Sequence, residues 1–579
     1  MRRSLPLLTW LQRRVRASEA AFILIAIAIG AAAGLLSIVQ GAMGRTMQHI
    51  LFRLPGDSRL SAAPSLSPAV LLALPIGGLV LAGFSALVRA RKRRLVDAVE
   101  ANALHGGRMS LGDSLVVSGQ TILSNGFGAS VGLEAAYAQL GSAFASIIGK
   151  ALRLRRADLR HLVGAGAGAA IGAAFGAPLA GAFYAFEIVI GAYTPSALAP
   201  VAAAALSGAL VAQIAGAQPY LIDVVAGSMV ETHHYLAYAG LGALCALVGI
   251  ALMQAVALVE SGSRKLPTPD WLRPAIGGAL LMPIAWFSPQ VLSAGHGALH
   301  VDLALGAPIA FIGAIFLAKS CASIISLGFG FRGGLFFASL FLGTLLGHLF
   351  ADGLAMLAGR TVVDPRNAAL VGMAALSVAV IGGPMTMAML VLEATHSFSL
   401  TGAVIAASLV STTLVRELFG YSFSTWRLHL RGEAVKSARD VGWLRSLTAG
   451  QMMRREGATA PAEMSIAEFR RRFPLGSTSR VILTDEHGRY AGIAVPPMAF
   501  PETLDPASPV ARIAIMGDVS LTPEMNVVEV MRSFDMTGAD ELAVLQPDGS
   551  ILGLVSEKYV RRRYAEEMEK AQRALFGEG

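Results

Sequence analysis

Charge is what this sequence has least of. Only 15% of its 579 residues are Asp, Glu, Lys or Arg, against about a quarter in soluble domains, while 54% are hydrophobic. That balance excludes an ordinary soluble globule for most of the chain. Cysteine is nearly absent: Cys245 and Cys321 both sit in apolar runs and read as buried free thiols, so no disulfide framework or thiolate metal centre is expected. The chain lacks HExxH, a nucleophile elbow and a phosphate-binding glycine loop, so a membrane-embedded enzyme is disfavoured, and no cofactor or metal is implied. The histidines are scattered, and His233-His234 beside Glu231 reads as a solvated loop. The net charge of +9 is not a nucleic-acid footprint, because the basic residues gather at the flanks of apolar runs: Arg13–Arg16, Arg89–Arg94, Arg153–Arg160 and Arg427–Arg431. These flanks place both termini on the cytoplasmic side. Arginines interrupt the first short apolar run, so residues 1–18 read as a basic surface helix and not as a signal peptide.

What is present is apolar sequence rich in glycine, 63 residues of it. Residues 19–432 carry runs such as Ala20–Ile38, Ala69–Val88, Leu236–Val259 and Gly402–Leu414. Some can cross about 30 Å of hydrocarbon and others are too short, which predicts tilted and broken helices in contact with lipid. Within them a pattern recurs. Aligned on Pro178 and Pro384, both Gly166–Glu187 and Gly372–Glu393 have a Gly twelve residues before the Pro, a Gly two before it and a Glu nine after it. Gly132 and Gly141 likewise match Gly334 and Gly343. The two offsets, 206 and 202 residues, indicate an internal duplication. A glycine break before a helix exposes unpaired N–H groups and the positive end of the helix dipole, so two such breaks aimed at one point suit an anion. A cation transporter would need several acids in mid-membrane, and few are present.

These residues resemble the CLC family of chloride channels and proton-coupled chloride antiporters. Gly172–Glu187 and Gly382–Leu400 resemble two equivalent helices of that family, where Glu187 and Glu393 are expected to serve helix ends. Gly132-Leu133-Glu134-Ala135-Ala136 resembles the family's G-[KR]-E-G-P, which makes Glu134 the external gate beside Gly132. Gly333-Gly334-Leu335-Phe336-Phe337-Ala338 resembles G-G-I-F-A-P, which makes Gly334 and the N–H groups of Leu335 and Phe336 anion-binding. The family's anion-contacting Tyr falls on Ser424, with Tyr421 one turn earlier.

Three departures shape the expected function. Arg89–Val96 replaces the family's G-S-G-I-P loop, leaving Arg91, Lys92, Arg93 and Arg94 near a cytoplasmic vestibule. Ile188 occupies the place of the proton-route Glu, and Ser424 is smaller than the usual Tyr. Together they point to passive chloride conduction, with proton-coupled antiport as the alternative. The resemblance further implies a homodimer with one pore per subunit, inorganic anions as cargo and a bacterial inner-membrane location.

Beyond a linker at 433–445, residues 446–500 and 510–570 read as two CBS-like repeats ahead of a tail at 571–579. Each has a capped helix followed by strand, turn and strand: Ile466–Phe473 then Val481–Val495, and Val527–Phe534 then Leu542–Val555. Such pairs often take adenine nucleotides, but no residue pattern here specifies one. The fold expected is an all-α polytopic membrane domain with an inverted repeat, followed by a small α/β pair.

Overall fold

A computed structural model describes residues 12, 18–56, 58–89, 95–217, 227–299, 308–422, 426, 447–455 and 457–576. The chain forms two compact units, Met1–Asp440 and Val441–Gly579. In the first unit the described elements are helical. Its first half runs α1 (Glu19–Phe52), α2 (Ala73–Arg89), α3 (Ala98–Leu104), α4 (Leu111–Gly126), α5 (Glu134–Ala151), α6 (Arg156–Phe175), α7 (Pro178–Tyr184) and α8 (Pro195–Ile214). Its second half runs α9 (His234–Lys265), α10 (Arg273–Phe287), α11 (Ile309–Gly328), α12 (Phe336–Ala358), α13 (Pro365–Ile381), α14 (Pro384–Thr395) and α15 (Phe398–Leu418). Among the described residues, seven helices are long and apolar enough to cross a membrane, and shorter apolar helices lie between them.

The duplication read from sequence is physical. α5 crosses α6 at Gly141 and Gly166, and α12 crosses α13 at Gly343 and Gly372. At each of the four, an added Cβ would collide with the backbone of the facing helix. Glycine is required there for close approach, as in small-residue membrane interfaces. The same 202- and 206-residue offsets that relate the motifs therefore relate the packing seams.

Several helices outrun the apolar runs that announced them. α1 continues from Ile38 to Phe52 because its polar residues face inward: Gln48 donates to Asn125 and Ser293, and Ser37 to the Ala170 carbonyl. Satisfied buried polar groups keep a helix in the membrane after hydropathy has fallen. One expectation is corrected. Cys245 is buried, but Cys321 is exposed on α11, because the apolar side of that helix is not all covered by protein.

The second unit is the expected α/β pair. β1 (Ala458–Pro461), α16 (Ile466–Arg472), β2 (Val481–Thr484) and β3 (Tyr490–Ala494) form the first repeat, with sheet order β1-β2-β3. α17 (Val527–Thr537), β4 (Glu541–Leu545) and β5 (Ile551–Ser556) form the second, and α18 (Glu557–Phe576) follows. Ser465 caps α16, and Asn526 with Glu529 makes a reciprocal capping box on α17. In the β2–β3 turn Asp485 accepts from the N–H groups of Arg489 and His487, and the first of these bonds helps hold its carboxyl below the usual range. The two cores interlock. Leu447, Ala449 and Met452 complete the core around Val527, Val530 and Phe534, while Val510 and Ile513 complete the one around Ile466 and Phe469. The bridges Thr448–Asn526 and Ile493–Ile515 fix this exchange.

Candidate functional site

The two motif loops meet. Gly132 and Gly334 form an antiparallel bridge, with Gly132 N–H donating to the Gly334 carbonyl at 3.0 Å and Gly334 N–H to the Gly132 carbonyl at 3.2 Å. Each loop is also pinned by a serine from the other half. Ser326 at the end of α11 accepts from the Ser130 N–H, and Ser124 at the end of α4 accepts from the Arg332 N–H, both at 2.9 Å. Ser124 and Ser326 are 202 residues apart, as are Ser130 and Arg332, so the exchange is symmetric.

From this bridge two helices start. Leu133 is the N-cap of α5 and Leu335 that of α12, and neither start has a side-chain cap bond. A leucine offers no acceptor, so the first-turn N–H groups stay available, and both positive helix ends face the same spot. Glu134 fills it. Its side chain folds back over Gly132, where a Cβ would strike the carboxylate, and a Cβ on Gly334 would stand 3.4 Å from its Oε2. The residue is 2% exposed, and the backbone N–H groups of Glu134 and Phe337, one at each helix start, act on its buried carboxylate. Burying a carboxylate in an apolar segment costs several kcal/mol ordinarily, and here the backbone dipoles of two helix starts offset that cost.

Of the residues read from sequence, Gly132, Glu134, Gly334, Leu335 and Phe336 are thus brought together. The Phe336 ring packs edge-on against Phe175 at 5.1 Å and against Tyr184 at 6.1 Å. Ser424 and Arg91–Arg94 lie outside the described residues. Tyr421 stacks in an aromatic group with Phe419 and Trp426, at 6.1 and 5.5 Å. Ile188 lies in a π-helical turn, Ala185–Ile190, buried among Val99, Ala138, Ala167 and Val189. Glu187 and Glu393 serve helix ends, as expected. Glu187 accepts from the N–H groups of Met385 and Thr386 on α14, and Glu393 from those of Leu179 and Ala180 on α7.

Two neighbours escaped the sequence reading. Tyr184, besides touching Phe336, interacts electrostatically with Glu134 and with Asp97, the N-cap of α3. Lys319 is wholly buried in α11. A charge inside an apolar twenty-residue helix was the available signal for it. Next to the Gly132–Glu134 loop, a cavity of about 540 Å³ is lined by Arg45, Arg59, His49, Asn125, Leu133 and His296, so its wall is mostly polar and partly cationic.

Comparison with known proteins agrees with this geometry. Residues 72–416 match the family model described as voltage gated chloride channel. A Ralstonia nicotianae protein designated ClcB-like chloride channel is 32% identical over 343 residues, covering 56% of this chain and 78% of its own. The crystal structure of a slow cyanobacterial Cl-/H+ antiporter superposes with a TM-score of 0.61 at 20% identity, over 71% of this chain and 97% of the other. That of a eukaryotic CLC transporter superposes with a TM-score of 0.60 at 17% identity, over 95% of this chain and 98% of the other.

Proposed function

This chain belongs to the voltage gated chloride channel family, and we propose that it moves chloride across a membrane along one pathway per subunit of a homodimer, with Glu134 as the gate. The observation that carries this reading is the place of the Glu134 carboxylate, between Gly132 and Gly334 at two uncapped helix starts. A negative side chain stands where a negative ion would be held. A proton on the carboxylate, or an anion competing for the same N–H groups, would displace it. The basic flanks support cytoplasmic termini in a bacterial inner membrane.

Passive conduction is the reading favoured by Ile188, an apolar side chain that cannot itself carry a proton, packed among Val99, Ala138, Ala167 and Val189. Proton-coupled exchange is the second reading. It is favoured by the electrostatic line Asp97–Tyr184–Glu134, which could serve a proton without position 188. The CBS-like pair is assigned a regulatory role without a nucleotide.

Flux from proteoliposomes, with chloride and pH recorded together, tests both. Passive conduction predicts chloride release down its gradient with no stoichiometric proton uptake. Uphill proton movement driven by chloride would select the second reading instead. Glu134→Gln is expected to raise flux at neutral pH and flatten its pH dependence. A variant with wild-type rate and profile would remove Glu134 from the gate.

A further inference from the structure

Lys319 stands in the middle of α11, within the run IAFIGAIFLAKSCASIISLG, and none of its surface is exposed. An ammonium buried in a membrane helix is costly and calls for a partner. Its Nζ donates to the carbonyls of Val291 at 3.1 Å and Ser293 at 2.8 Å. Two carbonyl dipoles hold the group in place but do not cancel a unit charge. The acid it is coupled to is Glu134, and the coupling is electrostatic, acting through the protein interior.

The lysine is also tied mechanically to the gate loop. Ser293, whose carbonyl it grips, has an Oγ that accepts from Nδ2 of Asn125 at 2.9 Å and from Nε2 of Gln48 at 3.2 Å. The same Asn125 amide donates to the Val131 carbonyl at 2.8 Å, three residues before Glu134. Directly before Glu134, where the resemblance would put a basic residue, stands Leu133. The positive charge missing from the start of α5 is present instead on α11.

Resting on the gate reading of Glu134, we infer that Lys319 is the counter-charge of the gate: it favours the ionised carboxylate in the occluding position and so sets the pH at which the pathway opens. The other groups facing the pair are Tyr184 on α7, Asp97 beyond it, His296, whose ring lies 3.8 Å from that of Phe337, and Arg45, His49 and Arg59 in the wall of the cavity that Leu133 and Ser293 also line. Lys319 acts on the gate and is not placed in contact with the anion, so it is a positioning residue.

The sign follows from Coulomb attraction. Removing the positive charge favours the protonated, displaced gate, so opening should persist to higher pH. Lys319→Gln removes the charge while its amide can still donate to Val291 and Ser293. Its flux-against-pH midpoint in proteoliposomes should rise by about one unit, a tenfold lower proton concentration. Lys319→Arg should keep the wild-type midpoint. Adding Leu133→Lys to Lys319→Gln, which returns a positive charge beside the gate, should bring the midpoint back. In a Glu134→Gln background Lys319→Gln should have no effect on the profile. An unmoved midpoint in Lys319→Gln overturns the inference, and so does an equal shift with and without Glu134. If Lys319→Gln alone does not fold, the Leu133→Lys/Lys319→Gln protein carries the test, and a midpoint far from wild type overturns the inference. Failure of the gate reading is seen separately, as an unchanged profile in Glu134→Gln alone.

Discussion

The carboxylates of Glu134, Glu187 and Glu393 each stand at a helix start, yet they are bonded differently, and that difference should separate them in experiment. Glu187 and Glu393 each accept two backbone N–H groups of a helix in the opposite half. Glu134 instead faces the N–H group at the start of its own helix and that of Phe337 on α12. Replacing Glu393 by Gln weakens charge-assisted bonds to α7 and is expected to cost about 2 kcal/mol. Thermal melting of the detergent-solubilised protein should show it. Glu134→Gln removes a buried charge whose desolvation outweighs its bonds, and should leave the melting temperature unchanged or raised. A matching loss in both would mean that Glu134 is structural. All three glutamates were legible in the sequence, Glu134 through its motif and the other two through spacing from a proline. Lys319 was legible as an anomaly but not as a partner, because its carbonyls at Val291 and Ser293 belong to a loop that only the fold brings beneath α11.

At the scale of helices, glycine is needed at some positions and incidental at others. Gly343 and Gly353 both belong to α12. A Cβ at Gly343 would strike the backbone of α13 at Gly372, whereas one at Gly353 meets nothing within 4 Å. Gly343→Ala is therefore expected to destabilise by roughly 1–3 kcal/mol through overpacking. Gly353→Ala should stabilise by roughly 0.5–1 kcal/mol through helix propensity. Melting curves of the two variants decide this, and equal shifts would defeat the packing account. The repeat and its seams could be read from glycine spacing, since close approach leaves that trace. Helix ends could not: hydropathy stopped α1 at Ile38, while hydrogen bonds from Gln48 carry it to Phe52. Cys321 was misread for a related reason, because an apolar run does not say whether protein or lipid is its neighbour.

For the molecule as a whole, two units follow from composition, but their internal boundaries do not. The CBS-like repeats read as 446–500 and 510–570, yet Leu447, Ala449 and Met452 sit in the core of the second, and Val510 and Ile513 in that of the first. A fragment spanning 447–576 should therefore melt in one cooperative transition. A fragment ending near 505 should show no cooperative transition by circular dichroism. Independent folding of the shorter piece would refute the interlock. Strand and turn periodicity marks such repeats well, but it carries no record of which segment closes which core.

The exchange between the membrane halves bears on how the chain is made. Leu179 opens α7, but the carboxylate that caps it belongs to Glu393, 214 residues later. At translation rates of about 5–20 residues per second, the ribosome needs roughly 10–40 s to cover that distance. Throughout that interval the first half lacks the α7 cap, and until Ser326 is made it lacks the Ser130 pin as well. It is a nascent intermediate, whose lifetime is fixed by elongation speed and whose exposed helix start must be sheltered by the insertion machinery until the second half arrives.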